Sequence, residues 1–143
     1  MTKVLSTDER QKLIDRARDT AKNAYAPYSS FHVGAAVLGE KGTYAGANVE
    51  NASYGLAVCA ERSALVAAVA AGEKCIKAIA VACIDAPLDG PREALFPCGA
   101  CRQWFVELAP TAIIIMAGIN DRDFSVGELL PYAFQFPISK TTL

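Results

Sequence analysis

Cys59, Glu61, Cys98 and Cys101 are the residues of this chain whose types and spacing could do chemistry. Three thiolates can hold a zinc ion. Three protein ligands leave the fourth position open to water, which separates a working zinc site from a structural one closed by four ligands. Zinc lowers the pKa of a bound water to about 7, so hydroxide becomes available at neutral pH. Glu61 stands two residues beyond the first cysteine, near enough to face that water without being a ligand. A carboxylate there can take a proton and deliver it elsewhere. Cys-x-Glu followed by Pro-Cys-x-x-Cys is a layout that removes an amine from a base ring by hydrolysis, with the glutamate moving protons. Hydrolytic deamination is therefore the reaction implied. A non-catalytic zinc module is the alternative, disfavoured by Glu61 and the open fourth position.

These four residues need elements to hold them. Cys59 and Cys98 each fall at the start of a predicted helix, where unpaired N–H groups and the helix dipole favour a thiolate. Cys101 follows Cys98 by one helical turn and shares its face. Two helix N-termini pointing at each other would gather the three sulfurs. Three thiolates around a divalent cation leave a net negative charge, and Arg62 is the residue placed to offset it by donating to sulfur.

The remaining elements follow from pattern. Ser6-Thr7-Asp8-Glu9 is a capping box opening a helix with Leu13, Ile14, Ala17 and Ala21 on its apolar face, ended by Pro27. Residues 31–38 and 43–50 read as two strands of a hairpin turning at Gly39-Glu40-Lys41-Gly42. Residues 59–71 form an alanine-rich helix stopped by Gly72. Residues 76–84 read as a strand and 85–91 as loop. A third helix from Cys98 carries Cys101, Trp104, Phe105 and Leu108 at helical spacing, with Trp104 expected in the core. Residues 112–117 make a fourth strand and residues 123–124 a short fifth. Ser125 to Glu128 is a second capping box, and Tyr132, Phe134 and Phe136 form an aromatic tail. This order is α/β, with a mixed sheet covered on both faces.

Composition narrows the function. A chain of 143 residues fits one domain, residues 1–143. Hydrophobic residues make up 52% and charged residues 20%, an apolar balance that suggests a subunit interface. The net charge of -1, with 14 basic against 15 acidic residues and no basic stripe, argues against nucleic acid and for a small-molecule substrate. The first nine residues lack the apolar segment of a signal peptide, and no apolar run is long enough to span a bilayer, so a cytoplasmic protein is expected. Five cysteines in a reducing compartment read as ligands before disulfides. Cys75 and Cys83 lack ligand spacing, and the single His32 is expected within a strand.

Ala26-Pro27-Tyr28-Ser29, Phe31-x-Val33-Gly34-Ala35-Ala36, Asn48-Val49-Glu50-Asn51-Ala52, Cys59-Ala60-Glu61-Arg62 and Pro97-Cys98-Gly99-Ala100-Cys101-Arg102-Gln103 together resemble the small homotetrameric cytidine deaminases. The match runs through most of the chain, from about Tyr25 to Phe134. The resemblance implies a three-layer α/β/α sandwich with a five-stranded mixed sheet, one zinc per subunit, and free cytidine or 2′-deoxycytidine as substrate in pyrimidine salvage. By the same resemblance Phe31 packs on the base, and Asn48 with Glu50 holds the ribose 3′-hydroxyl. Ala52 and Tyr54 are expected to continue their extended face. The resemblance also implies that Glu61 and the Ala60 N–H read the pyrimidine edge and that the Pro97 carbonyl lies where the leaving amine passes. Phe134 is implied to enter a neighbour's active site. Without the resemblance, Asn48 and Glu50 would read as solvated hairpin residues. Another substrate remains open at this point, whether a nucleobase, an aminonucleoside or a tRNA base.

Overall fold

The computed structural model describes residues 4–137. Residues 1–3, part of the nine-residue start expected to lack a signal peptide's apolar segment, lie outside the described residues.

Helix α1 (Thr7–Ala21) begins at the capping box. Ser6 Oγ accepts from the Glu9 N–H at 3.1 Å, and Glu9 accepts from the Ser6 N–H at 2.9 Å. Its buried face is Leu13, Ile14, Ala17 and Ala21. The helix stops at Ala21, well before Pro27, because the chain leaves it to pair elsewhere. The Tyr25 N–H donates to the Asn48 carbonyl and the Glu50 N–H donates to the Tyr25 carbonyl.

Strands β1 (Val33–Gly39) and β2 (Thr43–Ala47) form the antiparallel hairpin. β3 (Ile76–Cys83) pairs antiparallel with β1, β4 (Ile113–Met116) pairs parallel with β3, and β5 (Phe124–Ser125) closes the edge antiparallel to β4. The order is β2-β1-β3-β4-β5, the five-stranded mixed sheet expected. Helices α2 (Ala60–Ala70) and α3 (Gly99–Leu108) cover the face opposite α1, and a short α4 (Val126–Leu129) follows β5.

Strand alternation divides the core. Ala36, Ala78, Ala80, Ala82 and Ile115 meet α1, whereas Val37, Ile79, Val81, Ile114 and Met116 meet the layer of Leu65 and Phe105. Two glycines set how closely helices approach. A methyl on Gly34 would strike the Ala17 carbonyl, and one on Gly46 would strike the Ala64 nitrogen and stand 2.8 Å from the Ala60 carbonyl. The first turn of α2 is thereby pressed onto β2, which fixes where its N-terminus points.

Three further expectations need correcting. Trp104 is half-exposed on the outer side of α3, since Cys101, Phe105 and Val106 take the sheet-facing positions. His32 lies just outside β1. The extended face carrying Asn48 does not continue to Ala52 and Tyr54: β2 ends at Ala47, and Tyr54 opens a 3-10 turn over Tyr54–Leu56.

Candidate active site and metal centre

Cys59 is the N-cap of α2 and Cys98 the N-cap of α3, and neither side chain caps its own helix. The sulfurs are thus free to face one another. Cys59 Sγ lies 3.7 Å from Cys98 Sγ, which lies 3.5 Å from Cys101 Sγ. All three fall within 4.8 Å of one another. Zinc–sulfur bonds of about 2.3 Å in a tetrahedron put sulfurs ~3.8 Å apart, so the spacing fits one ion. Cys101 is buried, Cys59 half-buried and Cys98 exposed, which leaves the group approachable from one side.

The electrostatics favour charge at sulfur. A hydrogen bond from Cys101, with Arg62 beside it, brings the Cys59 thiol down to about 5. Arg62 Nη2 donates to Cys59 Sγ at 3.5 Å and to the Ala57 carbonyl at 3.4 Å. Its Nε is a buried donor with no partner among the described residues. A guanidinium held so near the sulfurs suits a ligand set with more than one thiolate, which supports the fit to a divalent ion.

Glu61, in the first turn of α2, is 4% exposed. Burial, assisted by the charge at Cys59 and opposed by a bond from its own N–H, pushes its carboxyl up to about 7. A carboxyl so placed can hold or release a proton near neutral pH. Ala60 is fully buried at the head of α2, where the first N–H groups have no acceptor inside the helix. The Pro97 carbonyl accepts from Arg102 Nε at 2.8 Å, and Arg102 Nη1 reaches the Leu129 carbonyl at 2.8 Å, so α3 and α4 fix its direction. A carbonyl keeps a second lone pair for a donor arriving from the site.

Sequence reasoning placed Asn48 and Glu50 at the site but not the work they do in the protein itself. Asn48 Oδ1 accepts from the Val33 N–H at 2.8 Å, and its Nδ2 donates to the Phe31 carbonyl at 2.9 Å. Glu50 accepts from the N–H groups of Tyr28 and Ser29, at 2.9 and 3.1 Å, and from the Ser29 hydroxyl at 2.5 Å. Those bonds hold its carboxyl below the ordinary range, the Ser29 hydroxyl bond being the largest. Tyr28, Ser29, Glu50, Asn51, Tyr54 and Ala57 line a cavity of about 330 Å³. Phe31 is half-buried, whereas Tyr54 and Phe134 are 75% and 70% exposed. Phe134 lies over α3, its carbonyl accepting from Gln103 Nε2.

Residues 7–117 match the model of the cytidine and deoxycytidylate deaminase zinc-binding region. The chain is 45% identical over 130 residues to a cytidine deaminase of Halalkalibacterium halodurans, covering 88% of this chain and 94% of that one. It is 42% identical over 134 residues to a probable cytidine deaminase of Dictyostelium discoideum, covering 91% and 86%. Among solved structures, the cytidine deaminase of Burkholderia pseudomallei is similar at 44% identity with a TM-score of 0.77, over 91% of this chain and all of that one. That of Mycobacterium tuberculosis is similar at 36% identity and a TM-score of 0.75, over 88% and 97%. A deaminase-type zinc region, the thiol cluster that suits its metal, and this agreement along most of the chain place the protein in the zinc-dependent cytidine deaminase family.

Proposed function

We propose that this chain deaminates free cytidine and 2′-deoxycytidine to uridine and 2′-deoxyuridine, with Glu61 as proton carrier, in cytoplasmic pyrimidine salvage. The observation that carries the reading is the buried Glu61 carboxyl in the same helical turn as Cys59 and beside the three gathered sulfurs. Cys59, Cys98 and Cys101 would hold the zinc, and the bound ion supplies the Lewis acid that makes water nucleophilic near pH 7.

Glu61 takes a proton from the attacking water and gives it to the pyrimidine ring nitrogen, which makes the amine-bearing carbon electrophilic. It then carries a second proton to the departing amine, so that water and nucleoside become ammonia and the keto product. The Ala60 N–H and Pro97 carbonyl orient the base edge, and Phe31 packs on its face. Asn48 and Glu50, rigid through their own hydrogen bonds, present remaining lone pairs to the sugar hydroxyls.

The active unit is a homotetramer with shared pockets. Exposed Tyr54, Phe134 and Phe136 and the outward Val66 and Val69 of α2 support this, since a lone chain would leave them wet. All five cysteines being free thiols agrees with a reducing compartment.

An ultraviolet assay on cytidine, deoxycytidine, cytosine, CMP and a cytidine-containing oligonucleotide tests the substrate. Turnover of the two nucleosides alone is expected, because polar groups built for sugar hydroxyls reject a phosphate or chain that displaces them. Efficient conversion of the oligonucleotide would overturn the reading.

A further inference from the structure

Between Ala26 and β1 the chain belongs to no strand or helix, yet it carries Phe31. Every backbone N–H from Tyr28 to Val33 nevertheless has an acceptor, although residues 28–30 are exposed. Tyr28 and Ser29 donate to Glu50, Phe31 to the Ser29 hydroxyl, His32 to Asp85 and Val33 to Asn48, with Ser30 donating to the Ala26 carbonyl. Ser30 is held at φ 57°, a left-handed conformation an L-residue adopts at some cost. This stretch is therefore shaped largely by side-chain acceptors from elsewhere in the chain, joined by the nearby Ala26 carbonyl and Ser29 hydroxyl.

The acceptors lie on two sides. Asn48 and Glu50 come from the β2 side, among the residues already assigned to the sugar. Asp85 comes from the β3 side, two residues past Cys83, which pairs with Val33. Ile84 extends that pairing through its N–H to the His32 carbonyl. Asp85 Oδ2 then takes the His32 N–H at 2.6 Å and stands 2.6 Å from His32 Nδ1 as well. One carboxylate oxygen thus fixes both the backbone and the ring of the residue next to Phe31.

We propose that Asp85 is a positioning residue for substrate: by clamping His32, the loop after β3 fixes the backbone that aims Phe31 at the base. This rests on Phe31 being the base-packing residue. The clamp couples the 84–96 loop, which makes no direct claim on the chemistry, to how well the nucleoside is held.

The test uses the zinc-loaded enzyme with Asp85→Ala, Asp85→Asn and Phe31→Leu. Asp85→Ala should raise KM for cytidine by about 3- to 10-fold with kcat within about twofold, the pattern of lost ground-state positioning. Zinc content should not change. Hydrogen exchange should quicken in the peptide spanning residues 28–33 and not in α2 or α3. Asp85→Asn, which keeps an oxygen for the His32 N–H, should recover most of the KM. In a Phe31→Leu background Asp85→Ala should raise KM no further, since the group it positions is gone. An unchanged KM in Asp85→Ala, beside a wild type that turns cytidine over, would overturn the clamp and leave the substrate reading intact. Exchange rising equally in α2 and α3, with zinc lost and kcat reduced, would make Asp85 a general stabiliser and overturn the clamp too. A wild type inert toward cytidine would overturn both readings.

Discussion

The thiol cluster and the rim proposed to hold the nucleoside are built on opposite principles. Each sulfur pole sits at a helix terminus: Cys59 and Cys98 are N-caps, Cys101 lies one turn on, and the helices are pinned by packing against the sheet. The proposed rim of Phe31, Asn48, Glu50 and Tyr54 lies outside the sheet, with only Tyr54 in a short 3-10 turn, and is tied largely by side-chain bonds to backbone. The thiol cluster thus inherits the rigidity of the core, whereas the proposed binding surface depends on hydrogen bonds between loop segments distant in sequence, backbone pairs such as Val49 with Val58 included. Defects in the first should appear in metal content and kcat, and defects in the second in KM.

Breaking the cluster gives the largest effect. Cys98→Ala or Cys101→Ala should lose zinc together with all activity, because two thiolates are too few for a catalytic zinc site. Metal analysis checks this, and full zinc in either variant would remove that residue from the ligand set. Breaking the rim is milder. Asn48→Ala leaves the Phe31 carbonyl and the Val33 N–H without partners, which costs stability about 1–3 kcal/mol. Its KM, and that of Glu50→Ala, should rise at least ~10-fold with zinc retained. Steady-state kinetics beside metal analysis separates this from a cluster defect.

The smallest effect sharpens the comparison across subunits. Removing the tail before Tyr132 should lower activity several-fold and weaken assembly in step, since Phe134 and Phe136 are exposed in a single chain. Light scattering with a deaminase assay reads both at once. A fully active monomer at low concentration is the outcome that rules out shared pockets.

The cluster was legible in the sequence and the rim only partly so, for the same physical reason. Helix starts announce themselves locally. The Ser6 and Ser125 capping boxes, the alanine-rich run before Gly72 and the spacing of Cys98 and Cys101 all mark helices that begin within about a residue of the expected start, although α1 ends at Ala21 and not at Pro27. Apolar β-branched runs and the turns between them likewise located the five strands to within a few residues. The rim depends on contacts between distant positions, such as Asp85 with His32, 53 residues apart, which no local pattern encodes. Glu73 is similar: a buried carboxylate accepting from the N–H groups of Glu40, Lys41 and Gly42, it holds the hairpin tip and was not foreseen. Trp104 misled because helical spacing marks a face as apolar without saying whether the sheet or the tail covers it. Asn48 and Glu50 would have stayed ordinary hairpin residues without the family resemblance.

The central claim is that one chain residue, Glu61, moves the protons while the cysteines hold the metal. Glu61→Gln tests it most directly, since the amide keeps the shape of the side chain and cannot shuttle protons. Zinc per chain should match wild type, the fold should be retained, and kcat for cytidine should fall at least ~10²-fold. A variant with full zinc and turnover within a few-fold of wild type would contradict the account.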